Sequence, residues 1–169
     1  MRISDEAQAA GYRLVHTAAT GSTNEDALAL ADGGDPGLVW VATDMQTAGR
    51  GRHGRVWHSP PGNLYASVLL VDPCAPADAA EIGFVAGLAL HEAAGTVTGA
   101  GFPALSLKWP NDLLVHGAKT AGLLLEGRAL RGGGFALVAG FGVNVGAKWD
   151  GAPYATATLR DLEPDIDRD

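Results

Sequence analysis

Residues 46–57, with the sequence QTAGRGRHGRVW, constrain the fold more than any other part of this chain. They alternate Arg50, Arg52 and Arg55 with glycines, and no acidic residue occurs within residues 45–71. Glycine lets the backbone approach a ligand closely, and arginine offers a rigid fork of donors for phosphate or carboxylate oxygens. The pattern predicts a mobile loop that closes over a polyanionic ligand. By itself it also fits a solvated surface loop or an arginine-rich arm that binds nucleic acid.

Composition narrows the class of protein. The chain has 169 residues, 47% of them hydrophobic and 18% charged, which indicates one globular domain with a sizeable core. Its net charge of -7 argues against non-specific binding of nucleic acid or anionic membranes as the main task. Cys74 is the single cysteine, so a reducing, cytoplasmic location is expected. No apolar stretch is long enough to span a bilayer, and residues 1–13 do not form a signal peptide.

Apolar periodicity predicts an α+β domain with a mixed, mostly antiparallel sheet and helices on one face. One helix should begin at Ser22, with Glu25 completing a capping box, and end before Gly33. A second should run from a cap at Asp78 to a stop at Gly95. The predicted strands are residues 12–17, at a sheet edge, then 38–43, 63–71, 105–109 with a resumption at 113–115, 120–126 and 135–143. A glycine turn joins the last two strands as a hairpin.

Polar groups recur where predicted strands end or the first helix begins. They are residues 22–24, 46–55 and 108–112, Lys119, and the glycine-rich run 140–144. Each has an ordinary explanation, such as a helix cap, a proline turn or a solvated lysine. Glycine within a strand weakens it unless a ligand or another backbone must approach closely. Their joint occurrence around one sheet predicts a single binding site.

The same segments carry a resemblance to a known family. They are STN (22–24), QTAGRGRHGRVW (46–57), NLYAS (63–67), KWPNDL (108–113), KTAGLLLE (119–126) and GFGVNV (140–145). In order and spacing they resemble the catalytic domain of biotin–protein ligases over most of the chain. The resemblance implies a fold related to class II aminoacyl-tRNA synthetases and the lipoate ligases.

The resemblance also implies a two-step acyl transfer. Biotin's carboxylate attacks the α-phosphorus of Mg-ATP, which yields biotinyl-5′-AMP and pyrophosphate. A lysine of the biotin carboxyl carrier protein of a carboxylase then attacks the mixed anhydride and expels AMP. Phosphoryl and adenylyl transfer depend mostly on positioning and charge stabilisation, which arginines and a lysine supply.

Roles for individual residues follow from the same resemblance. Ser22, Thr23 and Gln46 would hydrogen-bond the ureido head of biotin. The whole implied biotin-binding set is Ser22, Thr23, Asn24, Gln46, Gly49, Arg50, Gly51, Arg52, Lys119, Gly122, Leu123 and Leu124.

The nucleotide-binding set overlaps with the first. It comprises Arg52, Arg55, Trp57, Asn111, Lys119 and Asn144, with Trp57 covering the adenine. The implied catalytic residues are Lys119, Arg52, Arg50, Asp112 and Lys108, and Asp112 would orient or deprotonate the incoming lysine. Arg50 and Arg52 would bind the phosphates. No metal site made by the protein is expected, and Mg²⁺ would enter with ATP.

Several positions depart from the family pattern. His53 stands where a basic residue is common, and Thr120 where an aliphatic is usual, so the Thr120 hydroxyl needs a partner. The absence of a helix-turn-helix domain predicts no DNA binding. Residues 1–160 should form the catalytic domain and 161–169 a short acidic tail, without the small C-terminal β-barrel.

Three other functions compete with an active ligase. They are a module that binds biotin or biotinyl-AMP with poor transfer, a lipoate ligase of the same fold, and the nucleic-acid arm. A homodimer formed through a sheet edge is also among the expectations.

Overall fold

The computed structural model describes residues 1–166 and contains one seven-stranded sheet. The strands are β1 (Arg13–Thr17), β2 (Val39–Thr43), β3 (Leu64–Val71), β4 (Leu105–Lys108), β5 (Asp112–Val115), β6 (Ala118–Ala129) and β7 (Phe135–Val143). The helices are α1 (Asp5–Ala9), α2 (Thr23–Asp32) and α3 (Ala79–Thr98). Short 3-10 helices cover Arg52–Gly54, Pro76–Asp78 and Leu159–Asp161.

The strands lie in the order β1-β2-β3-β7-β6-β5-β4. Only β1 and β2 pair in parallel, and every other neighbouring pair is antiparallel. The predicted class, an α+β domain with a mixed and mostly antiparallel sheet, is therefore confirmed. The predicted hairpin of β6 and β7 is confirmed as well.

The predicted resumption of the strand at residues 113–115 is wrong. The chain reverses after Lys108, so β5 runs back along β4 and places Asp112 opposite Lys108. An apolar pattern cannot distinguish a strand interrupted by a turn from one strand that continues. The reversal places both ends of the KWPND motif beside each other.

The helices do not share one face of the sheet. α2 packs against Leu69 and Val138, whereas Ala86 of α3 packs against Val68 and Ala139. Because successive strand residues point to opposite faces, α2 and α3 lie on opposite sides. The expectation that the helices lie on one face of the sheet is therefore wrong. The sequence does not show which face of the sheet each helix covers.

A further cluster of buried apolar residues joins α3 to the β4–β5 end of the sheet. Leu105 and Leu113 are fully buried there, and burying each leucine contributes ~1.5–3 kcal/mol. Leu162 and Ile166 also pack against this cluster. The first part of the predicted acidic tail therefore belongs to the folded body, and residues 167–169 lie outside the described residues.

α3 continues beyond the predicted stop at Gly95 and ends at Thr98, with Gly99 in the left-handed region at φ 65°. Gly95 has a packing role instead. A Cβ there would lie 2.9 Å from the carbonyl oxygen of Ala100. After α3 the chain passes so close to the helix that position 95 must be a glycine. The sequence pattern had instead indicated the end of the helix there.

An ion pair fastens β1 to the loop before β2. Arg13 contacts Asp35 at 2.7 Å, and its hydrogen bond holds the pKa of Asp35 below the usual value.

None of the helices within residues 1–166 is long and apolar enough to cross a membrane.

The same substitution at two glycines of α3 should have opposite effects. Gly83→Ala should raise the free energy of unfolding by ~0.4–1 kcal/mol, because alanine restricts the unfolded chain. Its Cβ would meet Leu125 Cδ2 at 3.8 Å, an ordinary contact. Gly95→Ala should lower the free energy of unfolding by ~1–3 kcal/mol, because its Cβ meets the backbone oxygen of Ala100 at 2.9 Å. Urea unfolding measures both, and equal gains would contradict the packing role.

Candidate active site

Residues 46–57 fold back on themselves as a closed loop. The backbone N–H of Trp57 donates to the Gly49 carbonyl at 2.9 Å, and that of Gly51 donates to the Arg55 carbonyl at 2.7 Å. Between them, His53 and Gly54 adopt positive φ values of 59° and 71°. The loop covers one cavity of about 260 Å³. In this structure the arginine-bearing segment is therefore closed over the sheet.

One end of the cavity is polar and uncharged, at the start of α2. Gln46 Oε1 accepts from the backbone N–H and the hydroxyl of Thr23 at 3.0 and 3.2 Å, and Gln46 Nε2 donates to Ser59 at 3.1 Å. Ser67 Oγ lies 2.7 Å from Thr23 Oγ1 and 2.6 Å from Asn24 Oδ1. These buried groups already have partners, so the end of the cavity is organised before a ligand enters.

The predicted capping box at α2 does not form. Ser22 occupies the N-cap position, but its side chain makes no capping hydrogen bond. Glu25 instead binds the guanidinium of Arg50. A tertiary ion pair has replaced the local hydrogen bond that the sequence favoured.

Arg50 bridges α2 and β6. Its guanidinium donates to Glu25 and to both carboxylate oxygens of Glu126, at 3.0 and 3.1 Å. The pKa of Arg50 is raised above its usual value, chiefly by the hydrogen bond to Glu25, while partial burial opposes this and the charge of Glu126 adds to it. Arg50 is thus engaged by carboxylates in this structure, although the sequence predicted that it would bind phosphates.

The other end of the cavity is charged. Lys119 Nζ lies 2.7 Å from Asp112 Oδ1, with both side chains mostly buried at 17% and 22% exposure. Arg52 donates to Asn111 Oδ1 at 3.3 Å, and Asn111 in turn donates to the Leu123 carbonyl at 2.8 Å. A lysine, an arginine and a carboxylate are therefore arranged around one point of the cavity.

Glycines on β6 and β7, which have no side chains, form the floor of the cavity. Gly122 and Gly142 are paired across the two strands, and the indole of Trp57 lies on this bare backbone. A Cβ at Gly142 would lie 2.5 Å from Trp57 Cε2. A Cβ at Gly140 would overlap Asn24 Oδ1. These glycines therefore leave room for the side chains of Asn24 and Trp57.

Trp57 carries a buried polar atom without a partner. Its Nε1 makes no hydrogen bond within residues 1–166. Lys119 Nζ lies 5.4 Å from the Trp57 ring and 5.5 Å from that of Tyr154. The indole is thus placed between the main cavity and a smaller one lined by Asn144, Trp149 and Tyr154.

A family model described as the biotin/lipoate A/B protein ligase family matches residues 18–144. The chain belongs to this family. It is 43% identical over 151 residues to the biotin–[acetyl-CoA-carboxylase] ligase of Paracoccus denitrificans, covering 88% of this chain and 60% of that protein. It is 34% identical to the bifunctional ligase/repressor BirA of Bacillus spizizenii, covering 90% of this chain and 46% of that protein.

Solved structures of biotin protein ligases share the fold. The Aquifex aeolicus protein in complex with biotin and ATP matches with a TM-score of 0.74 and 30% identity, over 93% of this chain and 63% of that one. The Leishmania major protein in complex with biotinyl-5-AMP matches with a TM-score of 0.75 and 26% identity, over 90% and 65%. The chain therefore spans less than two thirds of the length of each of these four relatives.

Nearly all the predicted site residues of this biotin/lipoate ligase family member lie around one cavity. It is lined by Ser22, Thr23, Asn24, Gln46, Arg50, Gly51, Arg52, Arg55, Trp57, Lys108, Asn111, Asp112, Lys119, Gly122, Leu123 and Leu124. Gly49 lies behind the lining, where a Cβ would meet the Trp57 carbonyl oxygen at 2.6 Å. Asn144 lines the smaller cavity, and its amide donates to the Ala157 carbonyl at 3.3 Å.

Sequence reasoning missed several polar residues of the site: Glu25, Ser59, Ser67, Glu126 and Tyr154. Strand periodicity could have found Glu126, since it follows Gly122 and Leu124 at intervals of two on β6. The hydroxyl of Thr120 has the partner that it was expected to need, because it donates to the Asn144 carbonyl at 3.3 Å.

The bare backbone at Gly140 should be essential to the site. Gly140→Ala should lower the free energy of unfolding by ~1–3 kcal/mol, because its Cβ displaces the buried amide of Asn24. Gly132→Ala is the matched control: no atom lies within 4 Å of its Cβ, and a change below ~0.5 kcal/mol is expected. Urea unfolding of both variants is the measurement. Equal stability of Gly140→Ala and the parent would show that Asn24 does not need this space.

Proposed function

We propose that this chain is the catalytic domain of a biotin–protein ligase. It forms biotinyl-5′-AMP from biotin and Mg-ATP and transfers biotin to a lysine of a biotin carboxyl carrier protein. The observation that carries the proposal is a single cavity with an uncharged hydrogen-bonding end at Thr23 and Gln46 and a charged end at Lys119 and Asp112. Biotin has the same polarity along its length, with a neutral ureido ring at one end and a carboxylate at the other.

The biotin ring would lie at the start of α2. Ser22, Thr23 and Gln46 would hydrogen-bond the ureido group, which needs partners when it is buried. The apolar chain would pass along the backbone of Gly51 and the β6 residues Gly122 and Leu124, which line the same cavity. The carboxylate would then lie near Lys119.

The first reaction step would take place at the charged end. Lys119 would contact the carboxylate and the α-phosphate, and Arg52 and Arg55 would bind phosphate oxygens. These cations stabilise the charge that develops at the α-phosphorus. Trp57 would cover the adenine, with Asn111 and Asn144 near the base. Mg²⁺ would enter as part of the Mg-ATP substrate.

The second step needs an unprotonated acceptor amine. Free lysine has a pKa of about 10.4, so it is mostly protonated at neutral pH. Asp112 would orient the amine or accept its proton, and Lys108, opposite Asp112 in the β4–β5 hairpin, flanks the same point. Release of Asp112 from Lys119 as Lys119 turns to the phosphate would free the carboxylate for this role.

Lipoate is the competing substrate, because the family model covers both biotin and lipoate ligases. The polar end favours biotin. A dithiolane ring has no amide, so it would shield this polar end from water without the hydrogen bonds to Thr23 and Gln46 that the ureido group of biotin offers. Competition between biotin and lipoate for the cavity tests this choice.

The central experiment incubates the chain with biotin, Mg-ATP and a carrier domain. Pyrophosphate release and a mass increase on the carrier lysine are expected. Biotin binding without pyrophosphate release would favour the binding module instead.

The absence of DNA binding stays a prediction, because relatives of 34% and 35% identity are named bifunctional ligase/repressors. The cytoplasmic location and the homodimer also stay predictions.

Lys119→Ala should slow pyrophosphate exchange by ~10²–10³-fold, because it removes a cation from the developing charge. The dissociation constant for biotin should change by less than ~10-fold, because the ring contacts remain. Arg131→Ala, at an exposed turn outside the cavity, removes one positive charge as the control and should match the parent. An adenylation rate equal to that of the parent would remove Lys119 from the mechanism.

Arg52→Ala should shorten the half-life of bound biotinyl-5′-AMP by ~10-fold or more, since a charge-assisted contact to the phosphate is lost. Isolation of the complex followed by timed release of the adenylate measures this half-life. The same Arg131→Ala variant serves as the control. An unchanged half-life would count against a phosphate contact by Arg52.

A further inference from the structure

We propose that Glu126 is a positioning residue for biotin. Its carboxylate connects the start of α2 to the loop of residues 46–57. This inference rests on the proposed function and adds a residue to it. It also gives Arg50 a different role, as the loop's anchor beside the neutral hydrogen-bonding groups of Thr23 and Gln46. Glu126 would act through Asn24 and Arg50 and not by touching the reacting atoms.

The carboxylate of Glu126 joins three segments that are far apart in sequence. Its Oε2 accepts from Asn24 Nδ2 at 2.7 Å, and both oxygens accept from Arg50 at 3.0 and 3.1 Å. Asn24 belongs to α2, Arg50 to the loop and Glu126 to β6. Arg50 and Glu126 are 37% and 28% exposed, so solvent screens this pair only in part.

Glu25 completes the network on the solvent side. Arg50 also donates to Glu25, which is 48% exposed and lies 4.0 Å from Arg128. Arg128 contacts Asp32 at 2.6 Å. Arg50 thus ties the loop to Glu25 of α2, while Arg128 of β6 links Glu25 to Asp32 at the other end of that helix. The innermost contact of the loop is the one to Glu126.

Asn24 transmits this arrangement to the ligand site. Its amide donates to Glu126 and to the Leu124 carbonyl at 3.3 Å, and its Oδ1 lies 2.6 Å from Ser67 Oγ. The side chain is therefore held by three partners on the bare backbone at Gly140. Its neighbour Thr23 presents the N–H and hydroxyl that meet Gln46. A site fixed in advance loses less conformational entropy when it binds biotin.

Different partners separate Arg50 from the charged end of the cavity. Glu126 lies four residues beyond Gly122 on β6, about 13 Å at about 3.3 Å per residue, and Lys119 Nζ lies 3.2 Å from the Cβ position of Gly122. The guanidinium of Arg50 is bonded to Glu25 and Glu126, whereas Lys119 pairs with Asp112. Arg52 and Arg55 then remain as the loop's guanidinium groups for the phosphates, while Arg50 fixes the closed loop over the ring.

Glu126→Gln tests the inference, since glutamine keeps the shape of the side chain but removes its charge. The dissociation constant and KM for biotin should rise by ~10-fold or more, the loss expected for hydrogen bonds to a charged group. The kcat of pyrophosphate exchange and the KM for ATP should stay within ~2-fold, because the charged end is intact. Calorimetry with biotin alone and exchange kinetics supply the two readouts.

Asp35→Asn is the matched control, because it removes a carboxylate that pairs with Arg13 outside the cavity. Its biotin affinity should equal that of the parent. Glu25→Gln, which loses the more exposed carboxylate, should raise the biotin dissociation constant by a smaller factor than Glu126→Gln. Arg50→Gln should behave like Glu126→Gln, and the double variant should be only slightly weaker than either single one.

Three results would overturn the inference. The first is a biotin dissociation constant of Glu126→Gln equal to that of the parent, and the second is an equal loss in Asp35→Asn. A raised KM for ATP in Arg50→Gln with unchanged biotin affinity would return Arg50 to the phosphates and also contradict it. Failure of the parent chain to bind biotin would instead reject the proposed function, so the two failures are distinguishable.

Discussion

The antiparallel pairing of β6 with β7 is the constraint on which the site depends. Its register places Gly122 opposite Gly142 and Leu124 opposite Gly140. Without Cβ atoms at Gly140 and Gly142, the sheet surface is low enough for Asn24 and Trp57 to lie directly on the backbone. A shift of one residue would turn these glycines to the α3 side and place bulky side chains under the loop.

Charge is divided along the cavity, and this division explains how an arginine-rich loop serves an acidic protein. Glu25 and Glu126 neutralise Arg50 at the end where an uncharged ring would bind. At the other end, within residues 1–166, Asp112 is the carboxylate paired with Lys119, and Arg52 contacts an amide. Positive charge is thus kept available where phosphate and carboxylate oxygens would meet. Chemically similar residues of one loop thus face different neighbours.

Much of the site could be predicted because its segments carry their chemistry in short motifs. The strands follow from short apolar runs, and the polar groups stand at their ends, so their convergence was foreseeable. Glu126 was not singled out: strand periodicity puts it on the same face as Gly122 and Leu124, but the sequence does not show which partners a glutamate on a strand will have. Gly95 was mistaken for a helix stop, although it is a glycine inside α3 that makes room for the Ala100 carbonyl oxygen. The Ser22–Glu25 pair was mistaken for a capping box, although Glu25 binds Arg50, which is distant in sequence.

The sequence by itself determined the element types, the mostly antiparallel sheet and most of the residues around the cavity, because apolar period and motif order are local properties of the chain. Only the tertiary structure decided that α2 and α3 cover opposite faces, that β5 reverses along β4, and that Arg50 faces two carboxylates. Each of these depends on strand parity, register or a partner distant in sequence, and a single chain pattern specifies none of them.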